Sequence, residues 1–270
     1  MILTGAATGL SIRDLFFGGL VPGVLVGLGM LVLTTFISKR RNYPKYPRVS
    51  GRELLRALFK GLPAFIMVMI ILVGIMTGIF TPTEASVIAV LYALLVGMID
   101  RKLTWQGLYT ALLNAAISSA VVMVVISTAG LLTWLLAYSM IPQKLTVYLS
   151  GIIHSPVLLM VIFGIVFLLV GCVLDVSPAV LLFGPVLLPL VMSVGADPIF
   201  FGVMMVFALA IGLITPPVGT TMMLSAYIAG VTILDVAGES IPYIFYMIAL
   251  LFILIFFQGL VLWVPNFLFH

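Results

Sequence analysis

The sequence predicts an all-α polytopic membrane protein, read as a single transmembrane domain over residues 1–270. Three observations carry that prediction. Of 270 residues, 64% are hydrophobic and 7% charged, with a mean hydropathy of +1.38; ordinary soluble domains hold about 25% charged residues. Several runs of about 18 residues or more carry no charge, the length a helix needs to cross the hydrocarbon core. The runs are continuous and do not alternate, unlike the strands of about ten residues that build a transmembrane barrel.

The first span is expected at about 15–37, with glycines that permit close helix packing. Residues 39–60 then form a basic stretch holding Lys39, Arg40, Arg41, Lys45, Arg48, Arg52, Arg56 and Lys60, eight of the twelve Lys and Arg residues. It reads as a solvated loop followed by a basic interfacial helix, cytoplasmic under the positive-inside rule. Apolar segments at 62–80 and 84–99 make an out-and-back pair ending in Asp100, Arg101 and Lys102. Residues 103–115 read as an amphipathic interfacial approach to a span at 117–138, and 141–143 as a break. Beyond Lys144 there is no Lys or Arg, so that half cannot be oriented by charge. Its apolar runs lie at 157–174, 178–194, 199–214, 220–230 and 241–264. Those at 178–194 and 220–230 are too short, or too interrupted by proline, to span alone, and read as re-entrant arms or half-helices. The last run is expected to be one span.

No basic region precedes the first apolar run, so a cleavable signal peptide is not expected. The single cysteine, Cys172, excludes an internal disulfide. The net charge of +4 is concentrated in the basic stretch, which points to a membrane surface and not to nucleic acid.

Acids inside apolar sequence are expensive and invite a functional reading. Thr81 and Glu84 fit a capping box, with Pro82 at the first helical position, where its missing N–H costs nothing. Glu84 is therefore a helix cap, or an ion or substrate ligand. Asp175 is the other such acid; it caps a helix starting near Pro178, or caps it and joins a cation site. Pro185 and Pro189 are expected to shorten and kink that arm. Asp197 and Pro198 read as a turn and helix start. His154 and His270 lie at chain-end or loop positions with no acid nearby in sequence. Asp235 and Glu239 read as a polar connector before Pro242.

The stretch "GLITPPVGTTMM" (212–223) is the strongest signal. Pro216 and Pro217 lack N–H groups, so carbonyls one turn earlier lose their helical partners. Pro216 also pushes Thr215 out of the α region, and Gly219 can take conformations closed to other residues. The helix must stop near Leu213 and restart near Thr220. At membrane depth such a break is tolerated where it is buried in protein or lines a wet cavity. Its carbonyls, with the hydroxyls of Thr215, Thr220 and Thr221, can coordinate a dehydrated sodium ion, and its N–H end can hold an anion. The alternative is a proline kink that only shapes packing. No Gly-x-Ser-x-Gly elbow, His-Glu-x-x-His pair, phosphate-binding loop or potassium-type filter is present, and no enzyme activity is expected.

Taken together, "GIFTPTEAS", "YALLVG", "LDVSPAVLLFGPVLLPLV", "GADPIFFGVMM" and "AIGLITPPVGTTM" resemble the large membrane subunit of tripartite ATP-independent periplasmic (TRAP) transporters, the DctM-like family. The likeness runs from "SIRDLFFGGLVPG" (11–23) to "LWVP" (262–265). The resemblance implies half of an inverted-repeat elevator transporter: transmembrane helices, a re-entrant hairpin at 160–195 and a broken helix at 212–223. It implies a sodium symporter in the bacterial inner membrane that imports an acidic solute, a C4-dicarboxylate or a sugar acid such as sialic acid. Sodium is the coupling ion and no other cofactor is implied. The implied partners are a small DctQ-like membrane subunit, a DctP-like periplasmic solute-binding protein and the lipid bilayer. Sodium is placed among Gly171, Asp175, Thr215, Gly219 and Thr220, and substrate against Pro216, Pro217 and Thr221. The family's first hairpin, with a Ser-rich tip, and its first broken helix, reading roughly "IPPS", are missing from this sequence. The chain thus resembles a C-terminal portion, and a second reading is a membrane scaffold fragment that does not transport. Ala208 stands where relatives often carry Asn.

Overall fold

The computed structural model describes residues 1–43, 50–101, 103–141, 144, 147–148, 155–217 and 219–269. Expectations that fall on Lys45, Arg48, Lys102, Pro142, Gln143, His154 and His270 lie outside the described residues. Eleven helices are found among those described: α1 Ile2–Thr8, α2 Ile12–Arg40, α3 Gly51–Met76, α4 Pro82–Ile99, α5 Trp105–Tyr138, α6 Pro156–Gly171, α7 Val176–Ser193, α8 Pro198–Gly212, α9 Thr220–Ala229, α10 Ile233–Phe256 and α11 Gly259–Phe269. Six of them (α2, α3, α4, α5, α7 and α10) are long and apolar enough to cross a membrane.

The chain divides into two compact units, residues 1–37 with 122–270, and residues 38–121. In the second unit, α3 and α4 pack as an antiparallel pair across a short turn. Ser50 and Glu53 close a capping box on α3, and Thr81 and Glu84 close one on α4, with Pro82 opening the helix. The expected separate interfacial helix is absent: Arg52, Arg56 and Lys60 lie on the first turns of one continuous α3. Pro63 sits inside that helix without ending it. The approach at 103–115 is likewise continuous with its span, in a single helix of 34 residues. Nothing between them breaks the backbone, and the polar side chains of "TWQGLYT" tolerate a helix as well as an interface.

The first unit is built around α8. Ten of its fifteen residues are buried, from Phe200 to Gly212, and it packs against α6, α7, α10, α1 and α11. Four aromatic rings tie three of these helices together: Phe163 and Phe167 of α6, Phe183 of α7 and Phe201 of α8, with centroids 5.9–6.2 Å apart. Tilted and edge-on aromatic contacts at this spacing add to area burial. Helix α2 meets α10 through Tyr246, whose hydroxyl donates to the Leu25 carbonyl at 2.6 Å. The Tyr246 ring occupies the space over Gly29 that a side chain would need.

Three expectations need correction here. Helix α7 is not shortened: it runs 18 residues through Pro185 and Pro189, since each proline removes one ladder bond and the flanking turns persist. Its length meets the spanning criterion, so the inability of this segment to span does not follow from its prolines. The supposed polar connector is helical. A capping box between Thr232 and Asp235 starts α10 at Ile233, placing Asp235, Glu239 and Pro242 inside it. The single closing span is instead two helices, α10 and α11, separated at Phe257 and Gln258.

Candidate functional site

Two interruptions of the helical chain come together in the first unit. One is residues 172–175, between α6 and α7; the other is residues 213–219, between α8 and α9. Their juxtaposition rests on two glycines. A Cβ on Gly171 would lie 2.6 Å from the Leu209 carbonyl oxygen and 3.1 Å from Gly212 Cα. A Cβ on Gly212 would lie 2.5 Å from Gly171 Cα and 2.7 Å from Cys172 N. The ends of α6 and α8 therefore touch backbone to backbone, an approach that only residues without side chains allow.

Helix ends present carbonyls without i+4 partners. At the end of α6, Val170 O accepts from Val173 N at 3.0 Å and Leu174 N at 2.8 Å, a tightened last turn. Asp175 then caps α7, its Oδ1 accepting from Val176 N at 2.6 Å. The helix starts at Val176, two residues before the expected Pro178. At the end of α8, Pro216 and Pro217 cannot donate back to Gly212 and Leu213. Gly212 O is taken instead by Thr215 N at 2.9 Å, and Ile211 O by Ile214 N at 3.2 Å. Thr215 Oγ1 also donates to Ile211 O at 2.7 Å. A hydroxyl that donates its proton keeps its lone pairs outward, so Thr215 remains a possible oxygen ligand. The Pro216–Pro217 peptide is cis.

Gly219 closes the break at φ +50°, ψ 70°, a left-handed conformation at the N-cap of α9 with no side chain capping the helix. A Cβ there would lie 3.2 Å from the Thr215 carbonyl oxygen, so the loop curls back on itself. The first N–H groups of α9 thus have no side-chain acceptor at the cap position, while the helix dipole adds positive character there. Carbonyl and hydroxyl oxygens and open amides occupy opposite ends of one short loop.

Of the sequence-predicted residues, the structure brings Gly171 against the end of α8 and brings Thr215 and Gly219 together in one turn. Thr220 and Thr221 open α9 with exposed side chains, and Pro216 and Pro217 are exposed in the loop. Among the described residues, Asp175 makes its one side-chain hydrogen bond to Val176 N and none to Thr215 or Thr220. No group of three His, Cys, Asp or Glu side chains occurs among the described residues, so a cation here would meet carbonyl and hydroxyl oxygens, the donors suited to a hard ion. Ala208 is fully buried in the apolar core.

Sequence reasoning missed a neighbouring cavity of about 390 Å³ lined by Leu3, Thr4, Phe16, Ser177, Val180 and Val206. Thr4 is fully buried and its hydroxyl has no hydrogen-bond partner. Leaving such a group unpaired costs free energy, although the cavity beside it is lined mostly by apolar side chains. Thr4 sits in α1, seven residues long and too short for an apolar pattern to reveal its inward face.

A family model described as "Tripartite ATP-independent periplasmic transporter, DctM component" matches residues 1–260. The chain is 34% identical over 262 residues to the 2,3-diketo-L-gulonate TRAP transporter large permease protein YiaN of Escherichia coli, covering 97% of this chain and 62% of that protein. It is 32% identical over 269 residues to the C4-dicarboxylate TRAP transporter large permease protein DctM of Pseudomonas aeruginosa, covering 99% and 63%. It is 30% identical over 223 residues to the sialic acid TRAP transporter large permease protein SiaM of Vibrio cholerae, covering 82% and 52%. The chain spans about three fifths of the length of most of the curated relatives it matches.

Proposed function

The chain belongs to the DctM component family of tripartite ATP-independent periplasmic transporters, and from that premise we propose that it is permease machinery of a sodium-coupled importer of acidic solutes. The family is one of transporter permeases, not enzymes. The observation that supports the reading is the contact of Gly171 with Gly212, which sets the two helix breaks side by side. Sodium is held by carbonyl oxygens of the 213–219 loop with Thr215 and Thr220, and Gly171, Asp175 and Gly219 shape the pocket around it. A dehydrated cation needs several such oxygens at once, and a paired break supplies them where a single kink would not.

The solute is a carboxylate, a C4-dicarboxylate or a sugar acid, as the substrates for which the relatives are named suggest. It rests against Pro216, Pro217 and Thr221, where the open amides of α9 favour negative charge. A DctP-like periplasmic protein delivers it, a DctQ-like membrane subunit completes the assembly, and the bacterial inner membrane is the site of action. Residues 160–195 act as the re-entrant hairpin that gates the cavity.

Reconstitution with the binding protein and small subunit in proteoliposomes tests this. Thr215→Ala with Thr220→Ala is expected to weaken the sodium dependence of uptake at least about tenfold, the equivalent of losing about 1.4 kcal/mol of ion binding. Unchanged sodium affinity and rate in that variant would sink the site. Retained partner binding with no uptake by the unaltered chain would leave the scaffold reading instead.

A further inference from the structure

One end of the α3–α4 pair carries a cluster of basic residues. Helix α3 has 26 residues, about 39 Å at 1.5 Å per residue. The hydrocarbon core is about 30 Å thick, so about two turns of α3 stand outside it. Arg52, Arg56 and Lys60 show which end: they recur at every fourth position and all are exposed. Residues four apart lie on one face of a helix, so the three form a stripe. Glu53, the acid among them, is occupied in the capping box, accepting from Ser50 N at 3.2 Å. Tyr92 Oη donates to Pro63 O at 3.0 Å as α4 runs back along α3, which returns Asp100 and Arg101 to the same end. Trp105 follows it, 86% exposed, as aromatic residues at headgroup level are.

An apolar groove begins at Leu62, on a face of α3 adjoining the stripe, about a quarter turn around the helix. It has a volume of about 560 Å³ and is lined by Leu62, Phe65, Ile66, Met69 and Val73 of α3, with Phe80 of the following turn. Phe80 closes its far end by lying over Gly74, where a Cβ would come within 2.5 Å of the ring. From Leu62 to Val73 the groove runs about 17 Å, roughly half the hydrocarbon thickness and so the depth of one lipid leaflet.

We propose that α3, with the turn that follows it, is a binding site for an anionic phospholipid, with its phosphate on the Arg52, Arg56 and Lys60 stripe and an acyl chain in the groove. Charge complementarity selects this occupant. Clustered Lys and Arg beside a span attract anionic headgroups, whereas a zwitterionic lipid brings its own cation to the stripe. The long basic side chains lay their stems along the helix and carry their charge to the headgroup level. The inference stands apart from the sodium site and does not rest on it.

The test delipidates the detergent-purified full chain, offers dioleoylphosphatidylglycerol or dioleoylphosphatidylcholine, and counts bound lipid by native mass spectrometry. The unaltered chain is expected to prefer phosphatidylglycerol at least about tenfold. Arg52→Gln, Arg56→Gln and Lys60→Gln together abolish the preference, and Arg56→Lys keeps it. Met69→Trp fills the groove, leaves the charges in place and also loses retention. Equal retention of both lipids by the unaltered chain overturns the proposal. So does a charge variant that still retains phosphatidylglycerol, or a Met69→Trp variant that does, because charge alone then suffices. Cross-linking of Met69→Cys to a partner helix in the assembled complex would overturn it too. Should the charge variant not fold, a salt titration of the unaltered chain decides: the preference falls with salt if the stripe holds the phosphate, and insensitivity to salt refutes it.

Discussion

Two stretches of this chain begin with Thr-Pro and come out opposite. In "TPTE", Thr81 Oγ1 accepts from Glu84 N at 3.3 Å, while Glu84 Oε2 accepts from Thr81 N at 2.8 Å. The helix restarts at once with Pro82, and its open donors are satisfied by its own side chains. In "TPPVGTT", Thr215 turns its hydroxyl back to Ile211 O. The chain then stays out of the helix until Thr220, where Gly219 offers no side chain to cap it. One proline at the first helical position is compatible with a closed turn; a second proline and a left-handed glycine hold the backbone open. The difference also separates an acid that closes a helix from a loop that leaves oxygens and amides for something else to satisfy. Glu84 is thus engaged in the cap, the first of its expected roles.

The open break depends on the surface it rests on, and that is where the largest effect is expected. Gly212→Leu forces a branched side chain into the backbone of Gly171 and Cys172, with nothing flexible to yield. Overpacking of this kind costs about 3 kcal/mol. The variant should lower the midpoint of thermal unfolding in detergent by several degrees and remove uptake. Gly130→Leu, on α5 with nothing within 4 Å of the added Cβ, is the control: it should leave both close to unchanged. If the two behave alike, the glycine contact is not what joins the breaks.

Much of this was legible in the residues. Stops at Gly212 and starts at Pro82, Pro198 and Thr220 follow from proline, glycine and capping chemistry, and the structure puts them within a residue or two of expectation. Membrane class followed from composition. Other features could not be read. Charge does not tell a protein-facing helix from an exposed one: α8 is the most buried helix and α5 has no buried residue, yet neither carries a charged side chain. The Gly171–Gly212 contact lies 41 positions apart in sequence, and glycines are common in membrane helices. The continuity of α3, α5 and α10 is not legible either, because charge and polarity along a helix do not mark its boundary. Backbone hydrogen bonding does not require an apolar side chain, so a polar stretch such as 233–240 continues as helix once Thr232 and Asp235 have capped it.

A smaller effect tests the glycine of the open break. At φ +50°, Gly219→Ala places a Cβ in a conformation that costs roughly 1–2 kcal/mol, while Gly219→Asn should cost less, since Asn visits that region more readily. Uptake should follow the order Gly, Asn, Ala. A flat series, measured in the same proteoliposomes, would mean that the loop relaxes out of the left-handed turn without consequence for transport.

The smallest effect belongs to the closed turn, and it carries the comparison furthest. Thr81→Ala removes an N-cap, worth about 1 kcal/mol, and should lower the unfolding midpoint slightly without altering how uptake depends on sodium. Glu84→Gln keeps a side chain able to accept from Thr81 N and should do less still. A cation ligand would behave differently: removing its charge would shift the sodium concentration for half-maximal uptake while stability hardly moved. Measuring both quantities on both variants therefore separates the roles. Loss of stability with constant sodium affinity places the 77–84 turn among caps, and the reverse pattern would make it a second ion site, with the two Thr-Pro turns doing the same work by different chemistry.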